Sequence, residues 1–127
     1  MLARFPLRTL AHLSAWIVLA TIVAATLSPI AYRPQSPLPV TFERELAFFL
    51  AAFGFTIGTR RSPLLVLALL IGCAGALELG QTLTATRHGE FGDFAFKSLG
   101  VSFGVAAGVL CNCALAFVKH RWPGRAD

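Results

Sequence analysis

The chain has 127 residues, of which 56% are hydrophobic and 13% charged, and its mean hydropathy of +0.70 points to lipid rather than water. That length suits one domain and excludes two independent soluble ones, while eleven phenylalanines among few charges exclude a disordered chain. Eleven Lys and Arg against six Asp and Glu leave a net charge of +5. No basic stripe interleaved with aromatics occurs outside the apolar runs, so nucleic acid is not the expected partner. In a membrane chain the excess sets orientation instead.

A helix that crosses about 30 Å of hydrocarbon needs about 20 mostly apolar residues, and four stretches approach this. The first runs over about residues 10–30, from Leu10 to Ile30, interrupted mildly by His12, Ser14, Thr21, Thr26 and Ser28 and closed around Pro29. Preceded by Arg4 and Arg8, it resembles a signal peptide in layout, but it is longer than a signal core of about 7 to 15 residues and reads as a retained span. The second, about 43–58, is the weakest: Glu43, Arg44 and Glu45 crowd its start, and only Leu46 to Phe55 is strictly apolar. The third, 63–83, opens on Pro63 at a helix-start position and carries one charge, Glu78. The fourth, about 94–118, is opened by Asp93 as the expected N-cap and closed by Lys119, His120 and Arg121, with Pro123 and Gly124 beyond. Cys73, Cys111 and Cys113 all fall in apolar runs and read as small core residues. Positions 111 and 113 point to nearly opposite sides of a helix, so no metal is expected there.

Cytoplasmic loops of short-looped membrane proteins carry the excess of Lys and Arg. Arg4, Arg8, Arg60, Arg61, Lys119, Arg121 and Arg125 fall on one side, seven in all, while Arg33, Arg44, Arg87 and Lys97 make four on the other, offset by Glu43, Glu45, Glu90 and Asp93. The expected fold is therefore an all-α bundle of four transmembrane helices with N-terminus and C-terminus both cytoplasmic, which agrees with an even number of crossings.

On that topology the polar residues gather at the outer leaflet. Glu78 lies about five residues before the outer end of the third span, and Gln81, three residues on, shares its helix face. The next loop supplies Arg87, His88 and Glu90, Asp93 opens the fourth span with Lys97 one turn beyond, and Glu43 and Arg44 open the second at the same level. An ionised carboxylate in hydrocarbon costs a few kcal/mol and needs a partner or a proton. Arg87 is the expected partner of Glu78, with Arg44 and Lys97 as the other candidates. Two readings follow: a buried pair that locks helix register, or a site in which Glu78, Gln81, Arg87 and Asp93 converge at an extracytoplasmic mouth.

The run Glu78-Leu-Gly-Gln81, Arg87-His-Gly89, Asp93, Lys97, Gly100 and Gly104 resembles the signature of the VanZ-like family of small multi-pass bacterial membrane proteins. That signature has the form E-x-x-Q, R-x-G, then D-x-x-x-N-x-x-G-x-x-x-G into the last helix. Glu43-Arg44 before an aromatic-rich helix is similar to the family's acidic-basic pair, and Leu27-Ser-Pro29 to the end of its first helix, so the resemblance covers residues 27 to 108. It implies the bacterial cytoplasmic membrane and, through the family's association with the glycopeptide teicoplanin, a cell-envelope context without a defined reaction. Two positions depart from the pattern. Lys97 stands where the family has asparagine, and so brings charge and donates only; Ala47 stands where it often has histidine, which removes the most obvious proton carrier.

Gly100, Gly104 and Gly108 recur on one face of the fourth span, and Gly72, Ala76 and Gly80 on one face of the third. Small residues at that spacing let helices approach closely in lipid. They are expected to bring the third and fourth spans together around the polar site, and the face of Gly100, Gly104 and Gly108 also offers a route to an oligomer. Two function classes remain open. One binds or acts on a cell-envelope molecule, a lipid-linked precursor or an amphiphile. Its substrate-binding residues would be Glu43, Arg44, Glu78, Gln81, Arg87, Asp93 and Lys97, with Glu78 and Asp93 as the acid/base candidates and Arg87 as an anion clamp. The other is a non-enzymatic structural or partner-docking protein. No nucleophile-base pair or metal cluster is apparent, so neither cofactor nor metal is expected.

Overall fold

A computed structural model describes residues 6–32, 37–83 and 91–121. Within them the chain is all-helical: α1 spans Leu7–Leu27, α2 Val40–Gly58, α3 Pro63–Thr82 and α4 Phe91–Arg121, with a 3-10 turn over Ile30–Tyr32. Proline sets most of the boundaries. It stands just before α1 and α2 at Pro6 and Pro39 and opens α3 at Pro63, where its missing N–H is no loss because the first-turn donors lack intrahelical partners anyway. At the end of α1 the Ser28 N–H bonds the Ala24 carbonyl before Pro29 breaks the run.

α1, α3 and α4 are long and apolar enough to cross a membrane. α2 is not among these, because Glu43, Arg44 and Glu45 occupy its first two turns. It is nevertheless the helix that the others enclose. Phe48, Ala51, Ala52, Gly54, Thr56 and Ile57 are all buried, and the core joins Phe48, Ala51 and Ala52 of α2 to Ile22 of α1, Val66, Leu70, Ala74 and Leu77 of α3, and Val101 and Val105 of α4.

Close approach explains how so apolar a chain selects these neighbours. In lipid, helices gain little from burying Leu against Leu, so backbone proximity and van der Waals contact decide which pairs form. A Cβ placed on Gly100 would strike the Glu45 carbonyl, and one on Gly104 the Phe49 carbonyl. On Gly108 it would lie 2.6 Å from Thr56 Cβ. Gly100 opposite Glu45 and Gly108 opposite Thr56 show that α2 and α4 run parallel. Gly54 meets Ala15 and Gly58 meets His12, so α1 runs antiparallel to α2. A connection of four residues, 59–62, returns the chain into α3.

Three expectations are corrected. The glycine face of α4 packs against α2 inside the chain, not against α3. The small residues of α3 point outward: Gly72 and Ala76 are exposed, and nothing stands within 4 Å of a Cβ built on Gly72 or Gly80. α3 and α4 do touch, but through other positions, such as Gly75 against the Phe94 ring. Finally, Cys73 and Cys111 are half-buried and Cys113 is exposed, so the cysteines are only partly core.

Candidate functional site

The antiparallel order brings the start of α2, the end of α3 and the start of α4 to one end of the bundle, and the acids of the described residues, Glu43, Glu45, Glu78 and Asp93, all lie there. α4 begins at Phe91, earlier than its apolar run, so Asp93 sits inside the first turn rather than capping it. Its carboxylate still benefits from the positive end of the helix dipole. One turn on, Lys97 projects from the same face.

These residues form a chain of alternating charge across three helices. Arg44 Nη1 donates to Asp93 Oδ2 at 2.5 Å, Lys97 Nζ to the same Oδ2 at 2.9 Å, and Lys97 Nζ to Glu78 Oε2 at 2.6 Å. Among the described residues two cations meet two carboxylates, and such pairing is what permits burial, since an unpaired charge in this setting is strongly destabilising. Burial is graded along the chain. The Lys97 side chain is 2% exposed, Asp93 9%, Glu78 12% and Arg44 26%, so the network has a sealed centre and one end open to the surroundings.

Lys97 is the residue whose chemistry fits this position. An ammonium on a long stem reaches carboxylates on two helices, whereas the asparagine that the resemblance leads one to expect would offer two donors on a short stem and no charge. Glu78 is thus paired with Lys97; the expected partner Arg87 lies outside the described residues, as do His88 and Glu90. Gln81 is buried on the Glu78 face one turn nearer the end of α3. Glu43 is half-buried in the first turn of α2 and joins no ion pair among the described residues. Ala47, at the expected histidine position, is half-buried against the core.

Two polar contacts at the opposite end escaped the sequence reading. Asn112 Nδ2 donates to the Thr56 carbonyl at 3.0 Å, one of the last carbonyls of α2 that no intrahelical N–H can reach, so α4 caps its neighbour. On α1 the Trp16 indole N–H donates to His12 Nε2 at 3.0 Å, with both rings edge-on to Phe55 of α2. The signal for each was an amide or imidazole inside an otherwise apolar run. The His12 and Trp16 spacing of four residues places both on one face.

The fold and this network define the class as an all-helical protein with three helices of membrane-spanning length and a buried ion chain at one end. No family model matches the chain, and no curated protein or solved structure matches it.

Proposed function

We propose that the chain is a four-span protein of the bacterial cytoplasmic membrane, VanZ-like in its polar signature, with both termini cytoplasmic and the ion chain at the extracytoplasmic leaflet. Its function there is to bind the anionic or polar head of a cell-envelope amphiphile, with Arg44 as the contact. The observation that carries this reading is the gradient of exposure. Arg44 alone of the four has a quarter of its side chain open, and its guanidinium holds one carboxylate oxygen through one nitrogen, leaving further donors of the fork for a ligand. Lys97 and Asp93 are enclosed and serve to hold Arg44 in place.

A second reading, a purely structural clasp, draws on the double engagement of Lys97 with Glu78 and Asp93. The two separate in one experiment. Full-length protein purified in detergent is incubated with a total lipid extract of a bacterial envelope, and retained lipids are identified. Binding predicts selective retention of one envelope lipid that Arg44→Gln abolishes while the melting temperature stays within a few degrees of wild type. A clasp predicts that Arg44→Gln leaves the set of retained lipids unchanged, with the variants differing in stability alone.

A further inference from the structure

The opposite end of the bundle has a different shape and charge. Gly58, the last residue of α2, lies against His12 of α1, and Asn112 of α4 bonds Thr56. Both neighbours continue well past these levels. Four further residues of α1 reach Arg8, about 6 Å beyond, and seven further residues of α4 reach Lys119, about 10 Å beyond. α1 and α4 make no contact with each other among the described residues, because α2 stands between them. The connection from α2 to α3 therefore lies between two helix ends that project past the end of α2. Arg60 and Arg61 are exposed on that connection, Arg8 on the end of α1, and Lys119 and Arg121 on the end of α4. Among the described residues none of these five makes an ion pair, and no acid lies at this end.

We propose that this basic end of the bundle binds the headgroup of an anionic phospholipid. A headgroup layer is about 5 to 7 Å thick on each side of the hydrocarbon, comparable to the distance by which the helix ends project past α2. Five unpaired cations complement a negative head, and juxtamembrane Lys and Arg are attracted to anionic lipid surfaces. The end of α4 selects a lipid over a free anion, because from Cys113 to Val118 it is an exposed and largely apolar helix surface, with Leu115, Phe117 and Val118 beside which a glycerol backbone and acyl chain can lie. Arg121 folds back over the Phe117 ring at 5.6 Å, so the apolar and cationic parts of this helix end are continuous.

The test titrates the detergent-solubilised full chain with phosphatidylglycerol, with phosphatidylcholine of the same acyl chains, and with inorganic phosphate, counting bound molecules by native mass spectrometry. Saturable uptake of phosphatidylglycerol is expected, with neither of the others taken up at matched concentration. Each cation facing an anionic surface is worth about fivefold in affinity, so Arg60→Gln combined with Arg61→Gln should weaken binding about 30-fold. Lys119→Gln combined with Arg121→Gln, on a helix end that packs against nothing, should give a similar loss should the first variant fail to fold. Equal uptake of the two lipids, unchanged phosphatidylglycerol affinity in a folded variant, or displacement of the lipid by inorganic phosphate would overturn the proposal.

Discussion

Lys97 holds two carboxylates at once, and this makes the four charges of the network unequal. Lys97→Gln withdraws a cation from both Glu78 and Asp93, whereas Glu78→Gln leaves Lys97 on Asp93, and Arg44→Gln leaves Asp93 on Lys97. Losing one partner of a buried pair costs about 3 to 5 kcal/mol. The expected order of destabilisation in detergent is therefore Lys97→Gln, then Glu78→Gln, with the more exposed Arg44→Gln costing least, about 1 kcal/mol or less. The double variant of Glu78 and Lys97 should be more stable than the sum of the single losses, with a coupling of about 1 to 3 kcal/mol. Thermal unfolding followed by far-UV circular dichroism measures this, and strictly additive losses would show that the pair does not interact. From sequence alone, the depth of Glu78 called for a partner and supplied three candidates. Lys97, one of the three, meets Glu78 because α4 faces α3 at that level, information that a linear pattern does not hold.

The existence of the helices was legible because apolar run length and proline act locally, but their ends less so: 63–83 overruns α3 by one residue, while 10–30 is shifted by three from α1 and 94–118 stops three short of α4 at each end. Neighbour choice was less legible. Two small-residue stripes looked equivalent in sequence, yet Gly100, Gly104 and Gly108 meet α2 while Gly72 faces outward. α2 became the enclosed helix through its own small residues Ala51, Ala52 and Gly54, a role its short apolar run concealed. The two stripes predict opposite responses. Gly104→Val drives a branched side chain into the Phe49 carbonyl and Ala52, and should cost about 1 to 3 kcal/mol from overpacking. Gly72→Ala meets open space and removes a flexible residue from a helix, so it should be neutral or stabilising by about 0.5 to 1 kcal/mol. Equal effects in a melting comparison would contradict the packing of α4 on α2.

At the scale of the molecule, charge is segregated along the bundle axis. The described acids gather at the end that carries the ion chain, and unpaired arginines and lysines gather at the other. This polarity, together with the alternating helix directions, underlies the proposal that α2 crosses the membrane and that the ion chain opens to the outside. The most direct test is labelling with a membrane-impermeant thiol reagent in intact cells, using single cysteines at Leu38 and Arg60 in a background lacking Cys73, Cys111 and Cys113. These positions flank α2 at opposite ends. The account predicts that position 38 is labelled from outside while position 60 reacts only after the cells are permeabilised. Reaction of both positions from the same side would show that α2 does not cross, and the reverse pattern would put the ion chain in the cytoplasm; either result contradicts an extracytoplasmic site at Arg44.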